Sequence, residues 1–158
     1  MLICYAFDVD GVVVDVSERL RIANEMSGGK RNLFWRYFFS EDLIKLDKPR
    51  SIGINLVRDR ASKGCIVVIT GRPKRLRDIT IKEFMEYTGV SPCKVFMRNN
   101  RDYRSSAIVK VELISLALNQ GFEIIEFHDD SEEVLRAVKE VYPWIKLYLH
   151  TPYGYERY

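Results

Sequence analysis

The sequence is poor in the residues from which disulfide-stapled domains and cysteine metal modules are built. Its 158 residues include three cysteines, Cys4, Cys65 and Cys93. An odd number, widely spaced and in apolar settings, argues against a disulfide framework or a metal module and for reduced core residues of a cytoplasmic protein. No apolar run is long enough to span a bilayer, so no membrane partner is expected. The N-terminus reads as a strand that runs straight into acidic residues, which is not the pattern of a signal peptide. Repeats, low-complexity tracts and obvious linkers are also lacking. Charge of one sign is scarce: the net charge is only +3. That is compatible with an anionic substrate but assures no broad basic face for nucleic acid. Gly28-Gly29-Lys30 is not a phosphate-binding Walker loop, because the earlier glycine and the preceding strand are missing.

What is present is an ordinary globular profile, 47% hydrophobic and 30% charged, long enough for one domain over 1–158 with its own core. Buried strands are expected at 2–7, 65–69, 94–97, 123–127 and 145–149, followed by an aromatic tail. Helices are expected at 17–26 with Ser17 as cap, in one or two pieces over 32–46, and at 50–62, 74–87, 105–119 and 132–141. Strands alternating with helices imply βαβ units, hence an α/β fold with a doubly wound, mostly parallel five-stranded sheet. The segment 16–62 forms a small helical insert after the first strand. Its aromatic run from Phe34 to Phe39 reads as the core of a small cap rather than as a base-stacking surface.

Chemistry-bearing residues cluster where apolar strands turn polar. Asp8 and Asp10 end the first strand, two apart and so on one face. Thr70-Gly71-Arg72 ends the second. Lys110 lies near the start of the helix after the third, where the helix dipole disfavours a cation unless an anion is near. Asp129 and Asp130 end the fourth. A parallel sheet brings all these strand ends to one edge, where open α/β sheets place ligands. Four converging carboxylates repel unless a cation neutralises them, and an all-oxygen set favours Mg²⁺. Taken singly, each residue has a plainer reading: a turn-capping threonine, a solvated lysine, acids at a helix N-terminus. His128 reads as a structural histidine.

These four stretches in this order resemble the haloacid dehalogenase (HAD) superfamily of phosphotransferases over nearly the whole chain. Phe7-Asp8-Val9-Asp10-Gly11-Val12-Val13 resembles the first motif, Ile69-Thr70-Gly71-Arg72 the second, Lys110 the third and His128-Asp129-Asp130 the fourth. A response-regulator receiver would instead carry its phosphoacceptor on the third strand, where this chain has Met97-Arg98-Asn99. A closer likeness is to the 3′-phosphatase domain of phage polynucleotide kinase-phosphatases. It rests on Phe34-Trp35-Arg36-Tyr37-Phe38, Asp47-Lys48-Pro49, Thr70-Gly71-Arg72, and Met97-Arg98 through Arg104 to Val109-Lys110; the kinase part is absent from the sequence.

The resemblance implies that Asp8 attacks phosphorus and becomes an aspartyl phosphate, with Asp10 as general acid and then base. Asp10 would then need a less charged surround than Asp8. Asp8, the backbone near Asp10, Asp129 and Asp130 (directly or through water) would hold Mg²⁺. Thr70 and Lys110 would bind the phosphoryl oxygens, and Gly71, Arg72 and Arg104, with Arg98 and Arg101 nearby, the rest of the substrate. The partner is a phosphate monoester, including nucleic-acid ends or nucleotides. Three functions remain open: a phosphatase of polynucleotide 3′ ends, a small-molecule or mononucleotide phosphatase, and an idle nucleic-acid-binding scaffold.

Overall fold

Leu2–Phe7 forms β1 of the computed structural model, which describes residues 2–158. There follow β2 (Val14–Asp15), α1 (Ser17–Ser27), α2 (Arg31–Phe38), α3 (Glu41–Ile44), β3 (Lys48–Pro49), α4 (Ser51–Ala61) and β4 (Cys65–Pro73). A 3-10 turn (Lys74–Leu76) leads to α5 (Arg77–Thr88), β5 (Lys94–Arg98), α6 (Ser106–Asn119), β6 (Phe122–Asp129), α7 (Glu132–Val141), β7 (Lys146–Thr151) and β8 (Gly154–Arg157). The main sheet has the order β5-β4-β1-β6-β7-β8. Its first five members run parallel, as expected, and β8 pairs antiparallel with β7. The tail thus adds a sixth strand. Its alternation is weak and its side chains are mostly exposed, so period-2 patterning gave no sign of it.

The apolar run of β1 is explained by its place between β4 and β6. Alternate residues feed two cores. Cys4 and Ala6 join Ile114, Ala117, Leu135 and Val138 from α6 and α7 on one face. Phe7, Ile66 and Val68 join Ile54, Leu56 and Val57 of α4 and Phe84 of α5 on the other. Each large side chain so buried contributes about 1.5–3 kcal/mol. Helix α4 therefore belongs to the sheet's own helical layer rather than to the insert. The third cluster, Ala23, Phe38 and Leu43 with Phe34, Tyr37 and Phe39 around them, is a separate small core shared by α1, α2 and α3, the segment expected as a cap. The topology reverses beside β1: the chain goes to β4 and β5 on one side and to β6 and β7 on the other. A crevice at such a reversal is the usual ligand site.

Two sequence expectations are corrected here. Ser17 does not cap α1; it is the first helical residue, and its N–H donates to Asp15 Oδ1 at 2.9 Å. Cys4 and Cys65 are not separate reduced residues but form a disulfide, leaving Cys93 as the free thiol. They are register partners on neighbouring parallel strands, 61 residues apart in sequence, which spacing along the chain cannot reveal. The argument from cysteines to a reducing compartment loses its premise. Among the described residues, no helix is long and apolar enough to cross a membrane.

Candidate active site

β1 ends at Phe7, and the next residues form a tight loop. The N–H groups of Val12, Val13 and Val14 all point at the Val9 carbonyl, at 3.2, 2.9 and 3.2 Å. Gly11 adopts φ 78°, and a Cβ there would collide with the Asp130 carboxylate. The glycine is needed for both reasons. Asp8 N–H donates to the His128 carbonyl at 3.0 Å, tying the loop to the end of β6.

Three of the expected acids come together. Asp8, Asp129 and Asp130 each offer an oxygen within 4.8 Å of the others. Lys110 is buried, with Nζ 3.0 Å from Asp8 Oδ2 and 2.6 Å from Asp129 Oδ2. It is not a solvated helix lysine. Burial opposes its charge, but Asp129 and Asp8 outweigh that and hold its pKa above the usual lysine range. A single ammonium does not balance three carboxyls. Burial first, then Asp129, Asp130 and Asp10, push Asp8 well above the ordinary carboxylate range, against Lys110. Asp130 is pushed up to about 7 by its desolvated surroundings and by Asp129. Such an oxygen-only, charge-deficient set fits a hard divalent cation.

Asp10 does not join that cluster. Its side chain, 17% exposed, turns to two fully buried arginines. Arg19 Nη2 donates to Asp10 Oδ1 at 2.6 Å, and Arg72 Nη2 and Nε donate to the same oxygen at 2.7 and 3.1 Å. Burial disfavours the Asp10 carboxylate, yet Arg72 and Arg19 prevail and hold its pKa below the usual range. The expectation of a less charged surround for Asp10 is thus reversed. Asp47 and Glu83 complete the cage. Arg19 grips Asp47 with Nε at 3.0 Å and Nη2 at 2.8 Å, and Arg72 Nη2 donates to Glu83 Oε1 at 2.8 Å. Arg19 also lies 4.4 Å over the Phe38 ring, so the cap's aromatic core seats the guanidinium that faces Asp10.

This geometry changes the reading of the arginines. Arg72 is committed to Asp10, Asp47, Glu83 and Thr80 and does not face a substrate. Arg98 pins the loop after β5 through the carbonyls of Gly71, Asp102 and Arg104. Arg104 is exposed but paired with Asp102 and Glu112. Thr70 is buried, and its Oγ1 accepts from Arg72 N–H at 3.1 Å. That is the turn-capping role, and it leaves the hydroxyl proton free to donate. A Cβ on Gly71 would lie 3.9 Å from Lys110 Cε and 3.4 Å from Ser106 Oγ, so this glycine borders the lysine closely. Sequence reasoning missed Arg19 and Glu83, and it quoted Asp47 only as part of the likeness, with no role at the site. The one available signal was Arg19 sharing a helical stripe with the buried Ala23 and Ser27.

Residues 3–142 match the family model of the polynucleotide kinase PNKP phosphatase domain, a HAD-type domain. The chain belongs to that family. This PNKP-type domain is accordingly a HAD phosphatase, a phosphomonoester hydrolase. Its fold is shared with solved structures of low identity. A chain of the Pnkp1/Rnl/Hen1 complex is 15% identical, with a TM-score of 0.70 over 98% of this chain and 47% of that one. The present chain thus spans about half of that protein's length. A predicted phosphatase from Clostridium acetobutylicum is 12% identical, with a TM-score of 0.70 over 98% of this chain and 86% of that one. A haloacid dehalogenase-like hydrolase from Streptococcus pneumoniae is 13% identical, with a TM-score of 0.68 over 93% and 83%. No curated protein sequence matches the chain.

Proposed function

We propose that this domain is a Mg²⁺-dependent phosphatase that removes phosphate from polynucleotide 3′ ends through an aspartyl phosphate on Asp8. The observation that carries the reading is the Asp8, Asp129 and Asp130 cluster, with Lys110 paired to Asp8 and Asp129. Asp8, Asp129 and Asp130 would hold Mg²⁺, with the Asp10 backbone as a further ligand, and the ion would keep Asp8 ionised and draw charge from the phosphoryl oxygens. Asp8 attacks phosphorus, the P–O bond to the ester oxygen breaks, and Asp10 supplies the proton that oxygen needs. Asp10 then accepts a proton from the water that opens the acyl phosphate. Lys110 Nζ and the Thr70 hydroxyl bind the non-bridging oxygens.

Asp10 begins ionised in its arginine cage, so its acid role requires an anionic group to arrive beside it. A phosphate dianion raises a neighbouring carboxyl's pKa, and substrate binding then selects the protonated form.

The choice of a polymer end rests on family membership and on the small cap, which leaves little material to enclose a metabolite. A chain in a structure entitled an RNA repair complex shares this fold. Lys74 and Arg101 are exposed at the same sheet edge and form no salt bridge among the described residues. They replace Arg72 and Arg104 as the cations best free to meet bridging phosphates. The test compares kcat/KM, with Mg²⁺ present, for a 3′-phosphorylated oligonucleotide, a mononucleotide and a sugar phosphate. Preference for the oligonucleotide supports the reading. Preference for either small substrate would overturn it in favour of a metabolite phosphatase, and no release from any would leave a binding scaffold.

A further inference from the structure

Five buried or half-buried polar groups on the far side of β1 have no place in that chemistry, yet they form one unbroken chain. Arg50 Nη1 lies 2.9 Å from His150 Nδ1. His150 Nε2 lies 2.8 Å from His128 Nδ1. His128 Nε2 lies 2.8 Å from Glu126 Oε2. Glu126 accepts from Arg60, Nε to Oε2 at 2.7 Å and Nη2 to Oε1 at 3.2 Å.

Hydrogen-bond chemistry fixes every proton in this chain. A guanidinium only donates, so His150 Nδ1 must accept and carries no proton. Neutral His150 therefore bears its proton on Nε2 and donates to His128 Nδ1. His128 in turn bears its proton on Nε2 and donates to the Glu126 carboxylate, which only accepts. Both rings are neutral, both are Nε2–H tautomers, and the bonds all run one way, from Arg50 to Glu126. The rings are also clamped by stacking: His128 lies between Phe7, at 4.3 Å, and Tyr148, at 4.9 Å, and His150 stacks on Tyr155 of β8 at 5.5 Å.

The near end of the chain grips the loop that carries Asp10. Arg50 Nη1 also donates to the Val12 carbonyl at 2.9 Å, and Arg50 N–H donates to the Val13 carbonyl at 2.9 Å. Nη2 donates to the carbonyls of Thr151 and Gly154 at 2.8 and 2.9 Å, the two ends of the β7–β8 turn. Gly53, one helical turn on, has no room for a Cβ because the Val12 carbonyl occupies that space. One guanidinium thus joins the Asp8–Val14 loop, the start of α4 and the C-terminal hairpin.

We propose that Arg50 is a positioning residue for the phosphatase reaction, aimed by the one-way chain through His150 and His128 to Glu126, so that the hairpin β7–β8 is part of the catalytic machinery. This rests on the reading of Asp8 and Asp10 given above, and the tests separate the two. The sequence has only two histidines, so their ring nitrogens are unambiguous in a ¹⁵N–¹H long-range correlation spectrum of the whole protein. At pH 7.5 both are expected as Nε2–H tautomers; an Nδ1–H tautomer at either would overturn the chain. His150→Gln can keep an acceptor toward Arg50 and a donor toward His128, whereas His150→Leu keeps neither. The Leu variant should lose roughly tenfold to a hundredfold in kcat on p-nitrophenyl phosphate, the scale of a displaced supporting shell, with KM little changed. The Gln variant should recover most of that loss, and Arg50→Lys, lacking the fork, should not match wild type. Unchanged kcat in His150→Leu and Arg50→Lys, or a loss in the Gln variant equal to that in Leu, would refute the role. Amide exchange at Val13 and Val14 gives an answer that needs no turnover: faster in His150→Leu and restored in His150→Gln. If exchange follows that order while wild type releases no phosphate, the functional reading falls and the clamp stands; equal exchange in all three removes the clamp.

Discussion

Asp8 and Asp10 are two residues apart, yet they belong to opposite electrostatic worlds. The cluster around Asp8 sets three carboxyls against one ammonium, from Lys110. The cage around Asp10 sets three carboxyls, Asp10, Asp47 and Glu83, against two guanidiniums, from Arg19 and Arg72. One cation makes the difference. Asp8 is pushed up by burial and its neighbours, whereas Asp10 is held down by its arginines in spite of burial. The remaining mismatch in the cage falls on Asp47, which burial first, and then Glu83 and Asp10, push up to about 8 against Arg19. The first site is built to receive a positive charge. The second is complete as it stands and yields a proton site only when negative charge arrives.

The sharpest way to break this contrast is to neutralise each aspartate. Asp8→Asn should abolish turnover, by roughly a thousandfold or more, because it removes the proposed nucleophile. It should not lower the Tm measured in chelator, since it relieves repulsion in a charge-deficient cluster. Asp10→Asn should cost about a hundredfold in kcat, the lower end of the range for general acid–base catalysis. It should also lower the Tm, because two buried guanidiniums lose a partner and breaking a buried pair costs about 3–5 kcal/mol. A fall in Tm for Asp8→Asn, or none for Asp10→Asn, would show that the two sites do not differ in this way.

Adding the missing charge tests the same asymmetry without mutation. Mg²⁺ at a hundred times its Kd should stabilise the fold by about 2.7 kcal/mol, read as a rise in Tm relative to chelator. Asp129→Asn should remove most of that rise and Asp10→Asn little of it. Equal loss in both variants would mean that the Asp10 side chain is itself a ligand.

Much of the cluster was legible because strand ends announce themselves. The switches from Phe7 to Asp8, Ile69 to Thr70 and Phe127 to His128 fall at or just before the carboxyl ends of β1, β4 and β6, and a parallel sheet gathers such ends at one edge. The cage was not legible. Arg19 meets Asp10 across 9 residues, Asp47 across 28 and, through Arg72, Glu83 beyond that. Beyond its stripe with Ala23 and Ser27, a buried arginine on a polar-looking helix carries no local mark, because its partners Asp10, Asp47 and the Phe38 carbonyl lie on other segments. Arg72 was visible but misread, since a loop position beside a strand end suits a substrate contact as well as a buried ion pair. The disulfide followed from register alone, which a single sequence does not record: exhaustive alkylation of the native protein should count one reactive thiol, Cys93, and three after reduction. His128 reads from sequence as a structural histidine, but the chain it belongs to needed His150 and Arg50 brought beside it by β7 and α4.

The smallest expected effect probes that distant chain against the charged sites. His150 is buried, and desolvation first, then His128 and Arg50, pushes its pKa down to about 3. In the unfolded chain it titrates near its usual value of about 6.5. Between these values the unfolded state binds a proton that the folded state refuses. Stability from this group is therefore complete above pH 6.5 and declines as the pH falls toward 3, by up to about 1.4 kcal/mol per pH unit. The carboxyls with raised pKa values, Asp8, Asp47 and Asp130, act in the opposite direction over part of this range, so the wild-type curve alone is ambiguous. They are shared by wild type and His150→Gln and cancel in the difference. Urea unfolding of the two proteins should show the wild type losing about 1.6 kcal/mol relative to the Gln variant between pH 6.5 and 5, somewhat less than the full slope times the interval because the unfolded histidine is only half protonated at pH 6.5. A difference that stays level across the interval would mean that folded His150 takes up its proton as freely as the unfolded chain does. The one-way chain from Arg50 to Glu126 would then not hold it neutral.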